Sequence, residues 1–115
     1  MAAGKRWRIR LTAIAEDDYR HILRWTAEEF GARQAYVYAE TISAALEELS
    51  AGPNVLGARS RSDIANGLFT LHVARHGRKG RHFVIFRIGQ DERGEVIEVL
   101  RLLHDSMDLP THLPD

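Results

Sequence analysis

The sequence predicts an α+β fold: an N-terminal strand, an antiparallel helical hairpin packed on a small antiparallel sheet, and a C-terminal three-stranded meander that completes the sheet. Three observations predict it. The hydrophobic period is two over residues 7–11, becomes three-four from Thr12 to Leu49, and gives way to β-branched and aromatic runs after residue 67. Only a residue or two around Gly31 separates the helical segments, so they fold back on each other. The last three runs are joined by short glycine-bearing turns, the pattern of a meander.

"WRIRL" sets Trp7, Ile9 and Leu11 on one side and Arg6, Arg8 and Arg10 on the other, as a half-buried strand requires. Ala15, Tyr19, Ile22, Leu23, Thr26 and Phe30 then form a helical stripe of about five turns, with Thr12 as N-cap and Gly31 as a left-handed stop. A second stripe holds Ala35, Tyr38, Ala39, Ile42, Ala45, Leu46 and Leu49, and Gly52-Pro53 ends it. Residues 50–67 carry Gly, Pro, Ser and Asn without a period and read as a long connection. "LFTLHVA", "HFVIFRI" and "VIEVLRLL" are the meander strands, separated by "RHGRKGR" and "GQDERGE".

A chain of 115 residues suits one domain, spanning 1–115. Without cysteine there is no disulfide framework and no zinc-thiolate site, and a reducing cytoplasm is the expected compartment. "MAAGKRWRIRL" has no apolar stretch behind its charges, so no targeting or membrane segment is expected. Sixteen basic and sixteen acidic residues cancel, which argues against a uniform grip on nucleic acid. The charge is nevertheless uneven: residues 57–87 hold seven basic side chains against Asp63 alone, and residues 88–115 hold two against seven acids.

Strict alternation in the meander places Phe83 and Ile85 opposite Val84, Phe86 and Ile88, and Ile97, Val99 and Leu103 opposite Val96, Leu100 and Leu102. Both sheet faces are therefore apolar, and the helical hairpin can cover only one. The other is either an exposed surface for a partner or is covered by the long loop or the C-terminal tail. Arginines around an apolar centre favour an acidic, amphipathic partner segment. Trp25 sits off the main stripe, as an interface anchor or as a ring folded under the loop.

Enzyme signatures are sparse. His72 and His76 share a strand face, but no carboxylate lies at a telling distance and neither a metal site nor a cofactor is expected. Acid-base cleavage of RNA needs a base, an acid and cations, which His72, His82 or His104 with Arg87 and Arg101 supply in principle. Against it, no aromatic residue for base stacking follows Phe86. There is no nucleophile in a Gly-x-Ser-x-Gly turn, and "HGRKG" between two strands is a hairpin turn, not a phosphate loop.

The order of elements, with "LTAIAEDDYRHILRW", "GARQAYVYAETISAALEEL", "GPNVLGARS", "GLFTLHVARH", "HFVIFRI" and "VIEVLRLLHDSMD", resembles the ParE branch of the ParE/RelE toxins of bacterial type II toxin-antitoxin modules over about residues 7–113. The most specific match is Arg101, Leu103, His104, Met107 and Asp108, followed by His112-Leu113. The resemblance implies a non-enzymatic toxin that poisons DNA gyrase and forms a hetero-oligomer with a ParD-like antitoxin. Such an antitoxin joins a ribbon-helix-helix DNA-binding domain to an acidic, apolar C-terminal segment. Its contacts on this chain are expected at Arg59, Arg61, Phe69, Leu71, Arg75, Phe86, Arg87 and Arg101. The alternative within the superfamily is a RelE-like ribosome-dependent mRNA endoribonuclease using His82, Arg87, Arg101 and His104; a further one is a non-toxic antitoxin-binding module. RelE-type chains usually carry a tyrosine or His-Tyr near the last strand, whereas here Asp105 follows His104. On this reading His104 is a structural or partner-facing residue, Met107 an apolar plug, and Asp105 and Asp108 turn and capping residues.

Overall fold

The computed structural model describes residues 6–113; residues 1–5, which begin the N-terminal stretch, and 114–115 lie outside the described residues. In chain order the elements are β1 (Ile9–Leu11), α1 (Ala13–Phe30), α2 (Ala32–Leu49), β2 (Arg59–Ser60), β3 (Phe69–His72), β4 (His82–Asp91), β5 (Gly94–His104) and α3 (Leu109–His112). Thr12 caps α1 as its side chain predicts, accepting the Ala15 N–H at 3.1 Å, and its hydroxyl also donates to the Leu100 carbonyl at 3.0 Å. One residue therefore starts the helix and fastens it to the sheet. Gly31 closes α1 and opens α2 with φ 96° and ψ 163°. Its φ is positive as predicted, but its ψ is extended, so the stop is not the left-handed conformation.

The five strands run in the order β1-β5-β4-β3-β2. β3, β4 and β5 form the predicted antiparallel meander, but β1 lies parallel to β5, with Ile9 opposite Ile97 and Leu11 opposite Val99, so the sheet is mixed. Side-chain alternation is identical in parallel and antiparallel strands, which is why periodicity does not reveal the direction. β2 is a two-residue edge strand inside the predicted loop, and α3 is a single turn inside the predicted tail.

Ile85 pairs with Arg101 and Phe86 with Val99, which leaves Leu100 as an extra residue in β5. This bulge reverses the facing of everything after it. Leu102 joins Ile97 and Val99 under the helices, whereas Leu103 joins Leu100 on the opposite face. Strict alternation assigns Leu102 and Leu103 the other way round. Under the helices, Ala15, Ile42, Ala45 and Leu49 pack on Leu71, Val84, Phe86 and Val99. Phe30 does not join them: it ends α1 at 65% exposed.

The opposite face is not open. Leu68 from the loop and Leu109 from α3 are buried on Ile85, Leu100 and Leu103, with Ile64, Ala65, Phe83 and Leu113 packed around them. Loop and tail together supply the cover that the apolar strands require. The plug is Leu109, 7% exposed, and not Met107, which is 43% exposed. Among the described residues no helix is long and apolar enough to cross a membrane.

Candidate functional site

Where β3, β4 and β5 end beneath α2, four ring side chains and two charged residues converge. Antiparallel pairing sets His82 directly opposite His104, their ring centroids 5.3 Å apart and nearly perpendicular. Tyr38 descends from α2 and places its hydroxyl 2.7 Å from His82 Nδ1. The Arg81 backbone N–H donates to that same oxygen at 3.1 Å, which leaves the tyrosine proton for His82 Nδ1. The position of Tyr38 on the core stripe of helix two carries no sign of this contact.

Burial, reinforced by the neighbouring His104, pushes His82 down to about 4, so its imidazole is neutral at physiological pH. Beside it, the Arg81 guanidinium donates to Asp105 at 3.0 and 3.1 Å, and His72 Nε2 lies 3.0 Å from the same carboxylate. The Ala74 N–H donates to His72 Nδ1 at 3.0 Å, which puts the ring proton on Nε2, facing Asp105. Hydrogen bonds from Arg81 and then His72 hold Asp105 down at about 2. Asp105 thus ties three elements together, more than the turn role its sequence position suggests. His104 Nδ1 accepts the Ser106 N–H at 3.1 Å, and Ser106 Oγ lies 2.7 Å away.

Above this cluster lies a groove of about 580 Å³ between the end of the helical hairpin and the β3–β4 turn. Trp25, Phe30 and Tyr38 from the helices line it together with Arg78, Lys79 and Gly80 from the turn. Trp25 is 56% exposed and meets Phe30 edge to face at 5.7 Å, so it is not folded under the loop. A Cβ on Gly80 would stand 2.6 Å from Val73 Cγ2 and 2.9 Å from the Tyr38 ring, so only glycine lets the turn pass this close.

The four residues of the RNA-cleavage alternative do not form one centre. His82 and His104 are adjacent, but Arg87 sits five residues further along β4, roughly 17 Å at strand spacing, where it donates to Glu98 at 2.9 Å. Arg101 grips Asp18 of α1 at 2.8 and 3.1 Å and donates to the His112 carbonyl. Asp18 also accepts the Leu102 N–H at 2.9 Å, satisfying backbone just past the bulge. The cations that share a groove with His82 and His104 are those of the β3–β4 turn, and the aromatic rings there come from the helices. No spacing within the strands points to either.

The expected partner contacts scatter likewise. Leu71 and Phe86 are wholly buried in the helix-side core, so in this conformation they hold sheet and hairpin together and present nothing to a partner. Phe69 is half-buried, stacked on Phe86 at 5.5 Å. Arg75 is bound by Glu48 and the Leu56 carbonyl, while Arg61 pairs locally with Asp63. Arg59 is exposed on edge strand β2. His76 lies 2.9 Å from Glu48, apart from His72.

Residues 9–109 match the family described as ParE toxin of type II toxin-antitoxin system, parDE. The chain is 33% identical over 105 residues to Toxin ParE of Escherichia coli, covering 91% of each. The fold is similar to that of a chain of the chromosomal ParDE TA system from P. aeruginosa, with a TM-score of 0.69 at 20% identity over 88% of this chain and 98% of that one. It is also similar to a chain of the toxin-antitoxin complex RelBE2 from Mycobacterium tuberculosis, with a TM-score of 0.53 at 21% identity over 90% and 97% of the two chains. A match over nearly the whole described chain, on a hairpin-over-sheet fold shared with such toxins, leads to one conclusion: the chain belongs to the ParE toxin family of type II toxin-antitoxin systems.

Proposed function

We propose that this chain is a single-domain cytoplasmic toxin that inhibits DNA gyrase by binding it and is held inactive by a ParD-like antitoxin. The observation that carries the reading is the ParE match from residue 9 to 109. The site supports it: Arg87 and Arg101 are engaged by carboxylates away from His82, and His82, pushed down to about 4, is a poor proton acceptor near neutral pH. Among the antitoxin contacts, Arg59 and Phe69 stay in the proposal at the β2–β3 edge, and Arg61 there would first have to leave Asp63. Arg75, Arg87 and Arg101 would first have to leave their carboxylates. Purified toxin in excess is expected to block gyrase supercoiling of plasmid DNA and, when expressed in bacteria, to trigger the DNA-damage response and filamentation. Unchanged supercoiling at high excess sinks the reading, and normal growth favours a non-toxic antitoxin-binding module.

One observation favours a second reading, a RelE-like endoribonuclease. Tyr38, His82 and His104 lie together beside three cations and two further aromatic rings. Cleavage of messenger RNA in translating extracts, lost in His104→Ala, would select it over gyrase inhibition.

A further inference from the structure

Of the seven cations between residues 57 and 87, Arg61, Arg75, Arg81 and Arg87 are neutralised by carboxylates within the fold. Arg59, Arg78 and Lys79 have no carboxylate partner among the described residues, and the last two are consecutive residues of the turn that line the groove. No carboxylate among the described residues lines it. The imidazoles add no acceptor either: Tyr38 occupies His82 Nδ1 and the Ser106 N–H occupies His104 Nδ1, which puts each ring proton on Nε2. The cationic and imidazole groups of the groove are therefore hydrogen-bond donors, a set that calls for an anion. The same groove holds the exposed rings of Trp25 and Phe30, and Gln34, one turn before Tyr38 on α2, adds an amide that both donates and accepts. Its volume of about 580 Å³ suits one small-molecule ligand.

We infer that this groove binds a free nucleoside diphosphate, its planar base stacked on the rings of Trp25 and Phe30 and its phosphates on Arg78 and Lys79. Each half of the ligand meets a feature already present. Aromatic side chains stack on the face of a base, and the Gln34 amide has the donor and the acceptor that a base edge requires. Two adjacent cations without counter-charges match two adjacent phosphates. The turn acts here through its side chains: it joins two strands and precedes no helix, so it offers no backbone cradle of the kind a phosphate loop has. The charge count selects a free nucleotide over a nucleic-acid strand. A strand needs cations along its backbone, whereas the unneutralised ones in the groove are Arg78 and Lys79 and the chain's formal net charge is zero. The inference goes beyond the gyrase and antitoxin readings, and its test contains neither protein.

The test uses the full chain and the fluorescence anisotropy of ADP and GDP labelled on the ribose with a methylanthraniloyl group. At least one of the two is expected to bind, and the unlabelled nucleotide to displace it. Adenosine or guanosine alone and pyrophosphate alone are each expected to compete about tenfold or more worse, because each keeps only half of the contacts. Binding is expected to weaken about tenfold or more in Arg78→Ala/Lys79→Ala and in Trp25→Ala, and to be largely retained in Trp25→Phe, which keeps a ring to stack on. Arg93→Ala, in the β4–β5 turn, is expected to leave it unchanged. Thermal melts establish that the variants are folded; Trp25, Arg78 and Lys79 are all exposed, so their removal leaves the core intact. No binding of either nucleotide up to about 1 mM overturns the inference, as does equal affinity in the double variant or in Trp25→Ala. Pyrophosphate competing as well as the whole nucleotide also overturns it, by reducing the groove to an anion site. So does a single-stranded RNA of about eight nucleotides that binds the groove more tightly than the free nucleotide, which assigns the groove to nucleic acid. Gyrase supercoiling is assayed separately, so nucleotide binding can fail while the toxin reading stands, and the reverse.

Discussion

Among single residues, the polar groups divide into those that hold the fold and those left free. Asp18 belongs to the first kind: its carboxylate neutralises Arg101 and satisfies the Leu102 N–H, with side chains only 14% and 22% exposed. Asp18→Asn is expected to cost about 2–3 kcal/mol in urea unfolding, because it leaves a mostly buried guanidinium without its counter-charge. An unchanged midpoint would show that the pair contributes nothing net. His82 gives a pH signature. Its folded value of about 4 lies below the roughly 6.5 of an unfolded histidine, so between those values the unfolded chain binds more protons. Stability is expected to fall as pH is lowered from about 6.5 toward 4, and His82→Gln is expected to flatten that slope. Asp105, held at about 2, adds stability that is present above about 4 and is lost as pH falls further. Titrating the midpoint of unfolding across both windows separates the two groups.

Among the elements, two glycines act for different reasons. Gly31 has φ 96° and nothing within 4 Å of where a Cβ would stand, so Gly31→Ala is a test of backbone conformation alone, expected to cost about 1 kcal/mol. Gly80 is limited by space, since a Cβ would overlap Val73 and Tyr38. Gly80→Ala is expected to cost about 1–3 kcal/mol and to shift the β3–β4 turn, read as changed amide shifts from residue 78 to 82 by NMR. Similar losses at both positions with no local shift at Gly80 would count against the packing argument. The bulge at Leu100 is the other decisive element, because it turns Leu103 toward α3 and lets Leu102 fill the space beneath the helices.

In the molecule as a whole, the sheet is covered on both faces by different means: the helical hairpin on one, and the loop and α3 on the other. Truncation after Ser106 removes Leu109 and Leu113 from the second cover. The shortened chain is expected to bind a hydrophobic dye and to self-associate in sedimentation, since Leu100 and Leu103 would then face water. A shortened chain that stays monomeric and dye-free would mean the loop suffices.

Consecutive letters are enough to specify the order of the main elements, the helical hairpin with its Thr12 cap, the three-stranded meander and, over residues 9–109, the family. Those features are local, because period, capping and turn chemistry act over a few residues. Long-range packing alone makes β1 run parallel to β5, bulges Leu100 and closes the second sheet face. It also brings Tyr38 onto His82, Asp105 onto Arg81 and His72, and Trp25 into one groove with Arg78 and Lys79. Each of these joins residues distant in sequence, where alternation is the same for either strand direction and an arginine's place in the chain does not reveal whether a carboxylate waits for it. The final stretch shows both: its letters resemble the ending of the family, while the use of Asp105 as a clamp depends on where β3 and β4 place their ends.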